Sequence, residues 1–167
     1  MVFVDGSNLY HGMKRAQIRF DLLRLAKYYV GKRKFIRCYY YGSLDPYDKP
    51  RIESQRKFIR LLNLGGIVTR IKPLRLHDGN KVEKGADVHL AVDLVSFALH
   101  GHYDSAILIS GDEDFLVAVE AVKESGKIVE IAYFSEQISD ALRLSADEFH
   151  DLNNVPSEIL RNRMRKI

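Results

Sequence analysis

The sequence predicts a three-layer α/β fold built around a mainly parallel sheet of about five strands. Short apolar runs alternate with amphipathic stretches along the 167 residues. The predicted strands are apolar throughout, which is typical of strands covered by helices on both faces of a sheet. Right-handed connections between parallel strands then leave few topologies, all with helices on either side of the sheet.

Hydrophobic periodicity and turn signals place the individual elements. The five predicted strands span Val2–Val4, Phe35–Tyr41, Ile67–Ile71, Ala106–Ile109 and Ile128–Phe134. Helical spacing and capping signals predict helices over Phe20–Val30, Arg51–Leu64, Gly85–His100, Glu113–Ser125, Gln137–Leu144 and Ser157–Arg165. Leu74–Val82 contains the turn signal Asp78-Gly79 and predicts an exposed excursion. We expect one domain over residues 1–152 and a basic, helical tail over residues 153–167.

The overall composition and charge limit the classes of protein to which this chain can belong. The formal net charge is +4, a mild indication of a polyanionic partner. The single cysteine, Cys38, lies in an apolar run and is predicted to be a small buried hydrophobe. The first residues lack the pattern of a secretion signal, and the apolar runs are too short to cross a membrane. We therefore expect a cytoplasmic protein; the sequence leaves its oligomeric state open.

Acidic residues follow two of the predicted strands directly. The first strand leads into Asp5 and the fourth leads into Asp112 and Asp114, each beside a glycine that would let the backbone turn sharply. Ligands in parallel α/β sheets bind outside the carboxyl ends of the strands. If the first and fourth strands are neighbours, the three carboxylates converge on one crevice.

Asp87 is a fourth candidate at the start of its predicted helix. It shares a helix face with Leu90, Ala91 and Leu94, and that face is expected to pack on the sheet. A carboxylate at the top of a buried stripe needs a partner, and no basic residue stands at those helical spacings. A cation in the same crevice would supply one.

Clustered carboxylates are the ligands that hard divalent cations prefer. Mg²⁺ and Mn²⁺ take oxygen ligands, and such ions can activate water and stabilise the leaving oxygen of a phosphodiester. The alternative is that these aspartates and their serine neighbours, Ser7 and Ser110, only cap helices. The sequence is compatible with one ion or with two.

Three blocks of residues resemble the signature of the NYN-domain family, which belongs to the PIN-like nuclease superfamily. The blocks are Val4–Leu9, Lys84–Val88 with Asp93 following, and Leu108–Phe115, within a similarity over approximately residues 1–150. The resemblance implies a PIN-like (Rossmann-like) fold, a divalent metal and a ribonuclease whose products carry a 5′-phosphate and a 3′-hydroxyl. Carried over by position, it marks Asp5, Asn8, Asp87, Asp112 and Asp114 as catalytic, with the four aspartates as metal ligands.

Asp93 also matches the pattern of the family. It lies about 240° around the helix from Asp87, so we expect it to be a structural hydrogen-bond acceptor rather than a ligand.

The predicted partner is RNA, in single-stranded form. Arg75, Lys81 and Lys84 flank the block around Asp87 and could contact a phosphate backbone. Ser7 and Ser110 complete the predicted substrate-binding set. The histidines lack zinc-ligand spacing with cysteine, and no Gly-rich phosphate loop is present.

Two other classes of function remain as alternatives. The chain could grip RNA on a PIN-like fold without cutting it. It could also be another acid-dependent α/β protein, but a haloacid-dehalogenase-type phosphatase needs an aspartate where Ser7 stands. A response-regulator receiver needs its phosphoacceptor where Pro73 stands.

Overall fold

The computed structural model describes residues 1–77, 80–82 and 84–161. Its centre is a six-stranded parallel sheet formed by β1 (Val2–Asp5), β2 (Cys38–Leu44), β3 (Ile67–Pro73), β6 (Ser105–Ile109), β7 (Ile128–Tyr133) and β8 (Glu148–Asp151). Two short strands, β4 (Arg75–His77) and β5 (Asn80–Val82), form a separate antiparallel hairpin. The helices are α1 (Gly6–Ala16), α2 (Leu22–Val30), α3 (Lys49–Leu64), α4 (Ala86–Leu99), α5 (Leu116–Glu124) and α6 (Asp140–Ser145).

Helices cover both faces of the sheet, as the apolar strands predict. Alternate residues of β1 enter two cores: Val2 and Val4 pack with α1, α2 and α3, and Phe3 packs with α4, α5 and α6. Cys38 belongs to the first core, and burial raises the pKa of its thiol to about 12. The three-layer α/β prediction is therefore confirmed.

The strand order brings the two acid-bearing strands together. It reads β3-β2-β1-β6-β7-β8, so β1 and β6 are the two central strands. Val4 pairs with Ile109 in parallel register, and Asp5 pairs with Tyr41 of β2 on the other side. The prediction that Asp5 and Asp112 follow adjacent strands at the same edge of the sheet is confirmed.

Several predicted boundaries differ from the observed ones. The sheet has six strands rather than five, because β8 is short and carries the polar pattern Glu-Phe-His-Asp, which gave no strand signal. β2 begins and ends later than predicted and includes Gly42. Within the predicted helix Ser157–Arg165, the described part is a 3-10 turn over Ser157–Ile159 and an antiparallel bridge from Leu160 to Phe20. The rest of that helix, and the turn at Asp78-Gly79, lie outside the described residues.

The start of the predicted tail packs on the same core as the domain. Val155 and Ile159 are buried with the apolar residues of α1 and α2. The Asp21 backbone N–H donates to the Ile159 carbonyl at 3.0 Å. In the part of the chain that the structure describes, no helix is long and apolar enough to cross a bilayer.

Candidate active site

Asp5 ends β1 and begins α1. Its backbone is extended, and its Oδ1 accepts a hydrogen bond from the Asn8 backbone N–H at 3.1 Å, so Asp5 caps the helix. The prediction that Ser7 is the cap is wrong, because the helix already begins at Gly6 and Ser7 lies inside its first turn. Asp5 is therefore both the last residue of β1 and the N-cap of α1.

Ser110 joins the ends of the two central strands. Its buried hydroxyl donates to Asp5 Oδ2 at 3.1 Å and accepts from the Asp112 backbone N–H at 3.2 Å. Asp112 in turn caps the 3-10 turn Glu113–Phe115, accepting from the Asp114 backbone N–H at 3.2 Å. Ser110 thus holds the backbone of one acidic loop against the carboxylate of the other.

Asn8 makes a second link between the same two loops. Its Oδ1 accepts from the Gly111 backbone N–H at 2.9 Å, and its backbone carbonyl accepts from the Tyr133 hydroxyl at 2.8 Å. Asn8 is therefore tied to the loop after β6 through its side chain and to β7 through its main chain.

The glycines beside the acids are needed for space. Neither Gly6 nor Gly111 has a positive φ, so the sharp turn expected from the sequence is not what requires them. A Cβ on Gly111 would lie 2.2 Å from the Tyr133 ring, and a Cβ on Gly6 would lie 2.3 Å from the Tyr40 ring. Each acidic loop is thus packed directly on a tyrosine of the next strand.

Asp87 does not occupy the buried stripe that its spacing predicts. Leu90 and Leu94 are buried under α4, but Asp87 is exposed in the first turn of the helix. Because α4 runs antiparallel to β1, its first turn lies at the carboxyl edge, beyond the layer where the leucines pack. The prediction that buried Asp87 needs a cation as its partner is therefore wrong. Only the sequence motif now supports Asp87 as a metal ligand.

Asp93 lies deeper in α4 and has three neighbours. It accepts a hydrogen bond from the Tyr41 hydroxyl at 2.8 Å, with Arg70 Nε at 3.7 Å and His89 Nε2 at 3.6 Å. Burial, together with the hydrogen bond to Asp93, raises the pKa of Tyr41. These contacts agree with the expected role of Asp93 as a structural acceptor.

Asp5, Asp112 and Asp114 place carboxylate oxygens at the carboxyl ends of the two central strands, and we call this part of the sheet the acidic edge. Among the described residues, no three of Asp5, Asp87, Asp112 and Asp114 have carboxylate oxygens that all lie within 4.8 Å of one another. Asp112 pairs with no basic side chain in the described part of the chain. Such a donor set fits Mg²⁺, which keeps several waters and needs only one or two direct carboxylates. It does not fit zinc, which takes four close ligands.

The three basic residues that are predicted to bind substrate differ in their contacts. Lys81 donates to the nearly buried Asp45 at 2.8 Å, which lowers the pKa of that carboxyl and ties the β4–β5 hairpin to the end of β2. Arg75 and Lys84 are exposed and have no ion pair among the described residues. Lys81 is thus an anchor of the hairpin, whereas Arg75 and Lys84 face solvent.

A second titratable cluster, which the sequence did not reveal, lies at the opposite edge of the sheet. Glu130 is 3% exposed and accepts hydrogen bonds from the Arg33 guanidinium, the Ser105 hydroxyl at 2.9 Å and His150 Nε2 at 2.9 Å. Burial opposes ionisation of Glu130, but these hydrogen bonds outweigh it and lower its pKa.

This cluster is a closed ion pair and not an open metal site. Glu130, Glu148 and His150 are the one group of three potential ligands within 4.8 Å of one another among the described residues. Both oxygens of Glu130 already accept from Arg33, and a bound cation would have to displace that guanidinium.

The Glu130→Gln substitution tests this assignment through pH. We expect a free energy of unfolding lower by about 2 kcal/mol at neutral pH, because a charge-assisted hydrogen-bond set is lost. The folded pKa of Glu130 lies below its ordinary value of 4.5. Its stabilisation is therefore complete above that value and is lost as the pH falls through the folded pKa.

Denaturant unfolding between pH 7 and pH 3 measures the effect. The stability gap between the two proteins should narrow on acidification, and a gap that stays constant would contradict the pairing. Glu148→Gln is the matched control, since that carboxylate is mostly exposed and should change stability little.

The fold and the acidic edge together define a PIN-like α/β protein. A parallel sheet is covered on both faces, and oxygen donors follow its two central strands at the carboxyl edge. The chain belongs to the NYN domain family, whose model matches residues 1–153. The resemblance seen in the three sequence blocks is therefore confirmed.

One similar protein sequence and one solved structure accompany this finding. The low amplitude and bright protein LabA of Synechococcus elongatus is 28% identical over 165 residues, which cover 95% of this chain and 86% of LabA. A crystal structure of a Vibrio parahaemolyticus protein of unknown function superposes with a TM-score of 0.75 and 23% identity, covering 96% of this chain and 94% of that one. The structural likeness shows a shared fold.

Proposed function

We propose that this protein is a metal-dependent ribonuclease that hydrolyses phosphodiester bonds of single-stranded RNA at the acidic edge. The observation that carries the proposal is the hydrogen-bonded link of Asp5, Ser110 and Asp112 across the ends of β1 and β6. A helix cap alone would need neither this link nor the second one through Asn8. Membership of the NYN family supports a nuclease-type function related to RNA.

In this proposal Asp5, Asp87, Asp112 and Asp114 would hold the cation, some of them directly and some through water. When bound, Mg²⁺ or Mn²⁺ activates water for attack on phosphorus and stabilises the charge of the phosphodiester. Asn8 links the two loops through Gly111, and Ser110 restrains the carboxylate of Asp5. Ser7, in the first turn of α1, would donate to a phosphate oxygen.

The deciding experiment incubates purified protein with RNA and DNA oligonucleotides in Mg²⁺, Mn²⁺ or chelator. Loss of RNA that stops in chelator is expected, with products that carry a 5′-phosphate. Cleavage that continues in excess EDTA would refute the metal site. Products with a 2′,3′-cyclic phosphate would refute attack by water, since they require the ribose hydroxyl as nucleophile.

A non-catalytic RNA-binding module is the second candidate. It is favoured by the finding that, among the described residues, no three of the four aspartates have carboxylate oxygens within 4.8 Å of one another. The same assay separates the two candidates. A module would retain intact RNA in every metal condition, whereas the nuclease would degrade it.

Charge reversal at Arg75 or Lys84 tests contact with RNA near Asp87. Each substitution by Glu should weaken RNA binding and lower the salt slope of the affinity by about 0.7, the value for one phosphate contact on a single strand. Fluorescence anisotropy over a salt series measures both. Lys34→Glu is the matched control, because Lys34 is exposed before β2 at the opposite edge. Unchanged affinity and slope in both variants would place the RNA elsewhere.

A further inference from the structure

Helix α3 is one of the basic segments of the protein. It contains five basic residues and one acidic residue, a net charge of +4. Residues 31–37, before β2, hold four further basic residues and no acidic one. A group of exposed cations on one helix is the electrostatic footprint expected of a polyanion-binding surface.

Four of these cations share one solvent-facing side of α3, with the acidic residue of the helix, Glu53, between them. Lys49, Arg56, Lys57 and Arg60 are exposed and stand at helical spacings of seven, eight and eleven residues, within an arc of about 100°. We call this set the α3 surface. It extends over about 17 Å at 1.5 Å per residue. None of the four forms an ion pair with another residue that the structure describes.

The α3 surface begins at the same edge of the sheet as the candidate active site. α3 follows β2, whose Tyr41 pairs with Asp5, and it precedes β3, which is parallel to β2. The helix therefore runs from the carboxyl edge back along the sheet. The Lys81–Asp45 contact at 2.8 Å places the hairpin that carries Arg75 beside the turn that leads into α3.

An aromatic side chain stands where the α3 surface begins. Tyr47 is 50% exposed, and its backbone N–H donates to Asp45 Oδ1 at 2.9 Å, which fixes the turn that presents the ring. An exposed aromatic ring beside several cations is the arrangement on which single-stranded RNA stacks a base and aligns its phosphates.

We propose that the α3 surface and Tyr47 bind the part of a single-stranded RNA that extends beyond the candidate cleavage site. This inference rests on the proposed function and adds that the substrate must be long enough to reach from Asp5 to α3. RNA is a better match than an anionic membrane because the cations begin beside Tyr47 and the candidate active site, whereas the exposed leucines Leu61 and Leu64 follow Arg60 at the far end of the helix.

The test reverses three charges of the α3 surface together. The variant Arg56→Glu/Lys57→Glu/Arg60→Glu is compared with Lys27→Glu/Lys32→Glu/Lys34→Glu, which makes the same charge change at exposed positions of α2 and of the loop before β2. Cleavage is measured on RNA of about 20 nucleotides and of about 4 nucleotides, the second too short to span both sites. Circular dichroism confirms that both variants fold.

The α3 variant should lose activity on the long RNA only. We expect its KM for the long RNA to rise about tenfold or more, with kcat and the cleavage of the short RNA unchanged. In chelator, its affinity for the long RNA should fall and the salt slope should decrease by about 2, for three phosphate contacts. Tyr47→Ala should lower the same affinity about tenfold without changing the salt slope.

The outcomes separate this inference from the proposed function. Equal loss on both RNA lengths, no loss on either, or an equal loss in the control variant would overturn the inference while cleavage stands. If the unaltered protein cuts nothing, the proposed function fails, and the chelator binding series alone decides whether α3 holds RNA. Binding of anionic phosphatidylserine vesicles that depends on α3, with RNA affinity unchanged, would assign the surface to membranes instead.

Discussion

The Asp112→Asn protein should fold normally and fail to cut RNA. Asn keeps the shape of the side chain and an oxygen that can accept from the Asp114 backbone N–H, so the cap at the 3-10 turn is retained. The substitution removes one negative charge from the proposed cation site. A loss of about 4 kcal/mol of charge stabilisation corresponds to a rate lower by about a thousandfold. The free energy of unfolding should change by less than about 1 kcal/mol.

Glu113→Gln provides the matched control for this prediction. Glu113 is the neighbouring residue, is exposed, and loses the same charge. The Glu113→Gln protein should cut RNA in Mg²⁺ or Mn²⁺ at a rate close to that of the unaltered protein. Thermal unfolding is measured on the same samples. Asp112→Asn protein that still cuts RNA at the normal rate would show that Asp112 is only a helix cap.

A second large effect is expected from Gly6→Ala, through packing. The new Cβ would lie 2.3 Å from the Tyr40 ring and 2.6 Å from the Tyr41 carbonyl oxygen. That carbonyl belongs to β2, which is paired on both sides, so it cannot withdraw freely. We expect stability lower by about 3 kcal/mol and a melting temperature lower by about 6–12 °C.

The same substitution should also impair cleavage, because α1 carries Asn8 and begins at Asp5. A displacement of about 1 Å at a reacting group can cost about a hundredfold in rate. Gly65→Ala is the control, since a Cβ there meets its neighbours at 3.4 Å or more and φ is −77°. Calorimetry and RNA cleavage measure both variants; a Gly6→Ala protein as stable and active as the parent would mean that α1 shifts without cost.

The sequence predicted the layers and the location of the acidic edge because both depend on local pattern. Apolar runs that do not alternate require cover on both faces, and this requirement alone leads to a parallel α/β sheet. The strand ends at Asp5 and Ser110 are marked by the abrupt change from apolar to polar residues. The usual strand orders predicted that these two strand ends lie side by side, and in the structure β1 is next to β6.

Other features depend on where elements end in three dimensions. The helical spacing predicted the face of α4 that Asp87 occupies, but it did not predict that Asp87 is exposed. Periodicity gives the face of the helix on which a residue lies and not its height above the sheet. The Arg33–Glu130 pair joins residues 97 positions apart, and neither residue has a local signal that names its partner. β8 is held by its pairing with β7 rather than by its own propensity.

The sequence by itself thus determined the fold class, the family resemblance and the residues that stand at the strand ends. Only the tertiary structure decided that Ser110 and Asn8 bind the two acidic loops together, that Gly6 and Gly111 leave room for tyrosine rings, and that the basic residues of α3 begin beside this edge. The physical reason is that hydrogen bonds, close packing and surface charge depend on distances between elements. Local sequence pattern fixes only the direction in which each side chain leaves its own element.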